Sequence, residues 1–96
     1  MNPRDQLKEK RAEILQSAES HGAKNVRVFG SVARGETDEQ SDIDLLVDME
    51  PGRSLLDLGG LWSDLNSLPG FKMDLVTEKG LKRRIRERVL KEAVPL

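Results

Sequence analysis

Apolar and polar positions follow two rhythms along this chain, and the change from one to the other marks its elements. Asn2 and Pro3 make a good helix start, a capping side chain and then a residue whose missing N–H costs nothing in a first turn. Leu7, Ile14, Leu15 and Ala18 then recur near the helical period until Gly22, which predicts a helix over residues 3–20. Val26 to Phe29 is short and β-branched, is closed by Gly30, and reads as a strand. After a wholly polar loop at 36–41, Asp42 to Asp48 alternates with period two. It sets Ile43, Leu45 and Val47 on one face and Asp42, Asp44, Leu46 and Asp48 on the other. A turn at Pro51-Gly52 precedes a helix capped by Ser54, with a broad apolar face of Leu55, Leu58, Leu61, Trp62, Leu65 and Leu68, stopped by Pro69-Gly70. Phe71 to Val76 makes a third strand, Met73 and Leu75 opposing Lys72, Asp74 and Val76. Past Gly80, a last helix carries Leu81, Ile85, Val89 and Ala93 at four-residue spacing and ends at Pro95.

The expected fold class is α/β (α+β): one domain over residues 1–96, with a small mixed sheet of about three strands and about four helices, counting a short one at 31–34. The crossover from the second strand through a helix to the third makes those two parallel. The short link from the first strand to the second permits antiparallel pairing. Gly30-Ser31 and Asp42 then meet at one edge of the sheet.

Composition narrows the function. With no cysteine and one histidine, His21, there is no disulfide, no thiolate nucleophile and no His-rich metal site. The charged fraction of 34%, the absence of a long apolar run and an N-terminus without an apolar signal-like stretch lead to the expectation of a soluble, cytoplasmic protein away from membranes. A net charge of -1 argues against gripping a nucleic-acid backbone as the main task. The distribution is uneven, with an acidic centre at 36–50 and a basic segment at 79–91.

The acidic centre poses the chemical question. Carboxylates at i and i+2 of an otherwise aliphatic strand point the same way and repel each other unless solvated, paired or bound to a cation. Asp42 and Asp44, with Asp74 mid-strand on the expected neighbour, suit magnesium, which takes one or two carboxylates plus waters and substrate phosphates. A third carboxylate would support a two-metal clamp on a phosphoryl displacement. Gly30 lets a phosphate approach the backbone, Ser31 adds a hydroxyl, and Arg34 offers a cation to the same phosphates. Ser41, just before the first aspartate, organises the turn or supports the site by a hydrogen bond.

The stretch "GSVARGETDEQSDIDLLV" resembles the signature of DNA polymerase β-like nucleotidyltransferases, Gly-Ser, ten residues, then Asp-x-Asp. Its Ala-Arg-Gly-Glu and Ser-Asp-x-Asp-Leu pieces are similar to the minimal nucleotidyltransferases, the MNT antitoxin class, and "KMDLV" and "RERVLKEAVPL" resemble that class too. The resemblance implies that Asp42 and Asp44 bind magnesium and that Asp74 joins them, helping to activate the attacking hydroxyl. Gly30 and Ser31 would hold the β and γ phosphates of ATP. It further implies transfer of AMP with release of pyrophosphate, onto a tyrosine hydroxyl of a partner HEPN-domain toxin with which the chain could form a hetero-oligomer. The chain has no tyrosine of its own, so such an acceptor belongs to another molecule.

Plainer roles fit the other polar residues. Asp48, Asp57 and Asp64 read as solvated, Glu36 as a surface residue able to pair with Arg34, His21 as a structural residue at a helix end, and Trp62 as core. The basic last helix reads as a solvated face, then as a protein contact, and least as a nucleic-acid contact, since no aromatics interleave its charges. Two rival functions stand beside the enzyme: a protein that masks its toxin stoichiometrically, and nucleotide addition to RNA.

Overall fold

A computed structural model describes residues 3–35, 42–68 and 72–96 of the chain. Its elements are α1 (Pro3–Ser20), β1 (Ala23–Phe29), α2 (Gly30–Arg34), β2 (Ile43–Met49), α3 (Leu55–Asn66), β3 (Met73–Thr77), a 3₁₀ turn (Glu78–Gly80), α4 (Arg83–Glu92) and β4 (Val94–Pro95). The sheet order is β3-β2-β1-β4, with β1 antiparallel to β2 and β2 parallel to β3, in keeping with the connection lengths. The Asn2 cap, the loop 36–41 with Glu36 and Ser41, the Pro69-Gly70 stop and Phe71 lie outside the described residues.

The period-two reading of β2 holds. Ile43, Leu45 and Val47 are buried in the main core with Val26 and Val28 of β1, Met73 of β3, Leu7, Ile14 and Ala18 of α1, and Leu61 and Leu65 of α3. Leu46, on the carboxylate face, is fully buried outside that cluster. β1 begins earlier than its β-branched run, because Ala23 and Lys24 pair with Met49 and Asp48 before the register shifts. The shift coincides with Asn25 at a φ of 53°, a left-handed conformation that asparagine tolerates better than most residues.

The sheet has a fourth strand where three were expected. Val94 and Pro95 pair with Val28 and Arg27, and the Leu96 N–H donates to the Val26 carbonyl at 3.0 Å. Two residues carry no detectable period, and a proline that stops a helix can also occupy an outer sheet edge. The apolar stripes are also buried less than their width suggested. On α3, Leu55 and Leu56 are exposed and Trp62 is 50% exposed, so Trp62 is not core. On α4, Val89 is buried but Ile85 is 40% exposed.

Candidate active site

The sheet register builds the site. Phe29, Asp44 and Asp74 stand in one row across β1, β2 and β3, and Gly30 follows Phe29 directly. Gly30 has a φ of +75°, and a Cβ placed there would collide with Asp44 Oδ2. Glycine is therefore demanded twice, by its backbone angle and by the carboxylate against it. Asp42 precedes β2, half-buried like Asp44 and two residues from it. The Ile43 N–H between them donates to the Lys72 carbonyl at 2.9 Å, extending the ladder toward β3. Asp74 lies on the outermost strand and is exposed.

Three like charges at this end of the sheet have an electrostatic consequence. Burial pushes the Asp44 carboxyl above its ordinary value, the nearby Asp74 and Asp42 carboxylates add to that, and Arg34 opposes it. Among the described residues, Asp44 has no ion-pair partner. Nor do any three carboxylate or imidazole groups among them form a ready-made metal cage. The donor set nevertheless fits magnesium, which binds one or two carboxylates together with water and substrate phosphates rather than an all-protein cage. The raised Asp44 shows where added positive charge would be favourable.

Beside the carboxylates, α2 places Val32 in the core and is capped by Gly35, whose N–H donates to the Ser31 and Val32 carbonyls and whose φ of 74° turns the chain out of the helix. Its first residue has no side-chain cap from Phe29. The Gly30 N–H instead donates to Glu92 Oε2 at 3.1 Å, and Arg34 Nη1 donates to Glu92 Oε1 at 2.6 Å. Arg34 and the Gly30 N–H hold the Glu92 carboxyl below its ordinary value. The structure thus brings together Gly30, Ser31, Arg34, Asp42, Asp44 and Asp74 at one end of the sheet, while Ser41 lies outside the described residues.

Two residues at this end escaped the sequence reading. Glu92 looks like any polar residue of a charged helix, and only the tertiary fold brings it to residue 30. Asn66 is the other. Its amide donates to the Met73 carbonyl at 3.0 Å and accepts from the Met73 N–H at 2.9 Å, the contacts a further strand would make, one residue before Asp74. Within the predicted helix Asn66 is one more polar residue off the apolar face, and nothing local marks its partner seven residues on.

Several remaining carboxylates are structural. Asp48 is not simply solvated, since it accepts from Asn25 Nδ2 at 3.0 Å and from Arg27 Nη2 at 3.1 Å across the register shift. Asp57 completes a capping box with Ser54, and Asp64 shares a 2.7 Å hydrogen bond with His21. Asp64 is solvent-facing as expected, while half-buried Asp48 and Asp57 are corrected from solvated residues to partnered ones.

A family model described as a nucleotidyltransferase domain matches residues 7–96. "Protein adenylyltransferase MntA" of Thermococcus cleftensis is 45% identical over 76 residues, 79% of this chain and 77% of that one. A solved structure described as a "putative minimal nucleotidyltransferase" superposes with a TM-score of 0.86 at 52% identity, covering 97% of this chain and 95% of that one. A crystal structure of a toxin–antitoxin with AMP-PNP gives a TM-score of 0.72 over 88% of this chain and 69% of that one. At 20% identity, that last likeness is one of fold.

Proposed function

The chain belongs to the nucleotidyltransferase domain family, and from that premise we propose that it is a magnesium-dependent protein adenylyltransferase, the antitoxin of a toxin–antitoxin pair. It would transfer AMP from ATP to a tyrosine hydroxyl of a partner HEPN-domain toxin. The observation that carries this reading is the row from Gly30 past Asp44 to an exposed Asp74 on the outermost strand. A phosphate-binding turn lies at its inner end, and the outer end is open to an acceptor on another molecule. The adenylyltransferase name of the T. cleftensis relative and the toxin–antitoxin neighbour support it.

Asp42, Asp44 and Asp74 would hold the metal, which when bound neutralises phosphate charge and draws the attacking and leaving oxygens into line. The Ser31 hydroxyl and the N–H groups at the start of α2 would orient the β and γ phosphates, and Ser41 would support the turn into β2. Asp74 would take the proton of the acceptor hydroxyl as the tyrosine oxygen bonds to the α-phosphorus. The bond from that phosphorus to the bridging oxygen breaks, and pyrophosphate leaves with its electron pair. Because the chain has no tyrosine, a tyrosine acceptor would belong to the partner.

The test is incubation of the protein with labelled ATP, magnesium and a candidate HEPN-domain partner. Label on the HEPN protein that disappears with Asp42→Ala is the expected result. Toxin inhibition that survives both Asp42→Ala and Asp44→Ala without label would make the protein a stoichiometric mask instead, and label on RNA would make it an RNA-modifying enzyme.

A further inference from the structure

Building on that reading, we infer that Glu92 is a positioning residue for the nucleotide: its carboxylate holds the α2 turn in shape to receive the phosphates. A helix of five residues cannot hold itself together, and Phe29 supplies no side-chain cap. Glu92 supplies the cap from the far end of the chain. One oxygen takes the N–H of the first residue of α2 and the other takes the guanidinium of the last, 30 and 34, so both ends of the turn hang on a single side chain. At 17% exposure, the Glu92 side chain is shielded in a way that the Lys91–Glu87 pair of the same helix, at 76% and 82%, is not. An exposed pair of that second kind contributes little, whereas a shielded carboxylate with two fixed donors orders its surroundings.

The arrangement also divides the labour within α2. The Gly30 N–H is already occupied by Glu92, so the donors offered to a phosphate are those that follow it, beginning at Ser31. Gly30 serves by admitting Asp44 close to the backbone. Loss of Glu92 would release the Gly30 N–H and take one partner from Arg34, loosening the turn while all three aspartates stay in the sequence. Nucleotide affinity should therefore suffer more than the chemical step.

Direct binding of Mg-ATP, followed with a fluorescent ATP analogue, tests this without relying on turnover. Glu92→Gln keeps an oxygen for the Gly30 N–H but loses the charge facing Arg34, while Glu92→Ala loses both. The expected result is a weakening of about tenfold for Glu92→Ala, the size of one lost charge-assisted hydrogen bond, with Glu92→Gln in between. In transfer assays the same variants should raise KM and leave kcat nearly unchanged, and Glu87→Gln on the same helix should bind like the wild type. Melting curves taken alongside fix a temperature at which each variant is folded, and Glu92→Gln serves if Glu92→Ala does not fold. Wild-type affinity in both variants would overturn the role of Glu92 while leaving the proposed function standing. Wild-type protein that binds no Mg-ATP would overturn both.

Discussion

Asp44→Asn should cost activity and raise stability at once. Burial and the neighbouring Asp74 and Asp42 raise the Asp44 pKa in the folded state, so folding holds its proton more tightly than the unfolded chain does. The penalty is present when the carboxylate is charged near neutral pH and is relieved as pH falls through the raised value. A neutral asparagine removes it. The metal-free variant should melt higher by up to a few degrees, given about 4–8 °C per kcal/mol for a domain of this size. Its transfer rate should drop at least about a hundredfold, because a charge-stabilising ligand worth several kcal/mol is lost. Gly30→Ala should fail differently: a side chain at a φ of +75° meets Asp44, so denaturant unfolding should show a loss of about 1–2 kcal/mol together with the loss of activity. The meeting of Asp42, Asp44 and Asp74 at one end of the sheet was legible in the sequence, since carboxylates on neighbouring aliphatic strands stand out wherever they occur. The reason for Gly30 was only half legible, because its contact with Asp44 exists only once β1 and β2 have paired.

At the scale of elements, caps and edges decide what holds. Ser54 accepts from the Leu56 N–H at 3.1 Å while Asp57 returns a bond to the Ser54 N–H at 2.9 Å. Ser54→Ala should cost about 1 kcal/mol in urea unfolding and leave transfer unchanged. Asn66→Ala should cost about 1–3 kcal/mol, because it strips both Met73 backbone groups of a part-buried partner. Transfer should weaken with it, as Asp74 follows in the chain. The Ser54 cap is legible in the sequence, but the Asp57 half of the box, three residues on, reads there as a solvated residue. Asn66, Glu92 and β4 could not be read there, since their partners are set by how distant segments close together and two residues of strand leave no periodic trace. The tie between α4 and α2 also has a sign in pH. Glu92 is held below its ordinary pKa, so its contribution is present above the unfolded value and is lost as pH falls through the folded one.

The whole molecule explains why its site reads as half of a cleft. Asp74 is exposed on an edge strand, and the chain contains no tyrosine, so the proposed tyrosine acceptor would come from outside. The basic α4 carries Arg83, Arg84, Arg86 and Arg88 outward, consistent with a face turned to solvent or to a protein partner. The most direct measurement is intact-mass analysis of a HEPN-domain protein, the proposed partner, after incubation with the chain, ATP and magnesium. The expected result is a gain of one or more adenylate units on a partner tyrosine, absent with Asp42→Ala. A partner inhibited to the same extent with its mass unchanged would contradict it.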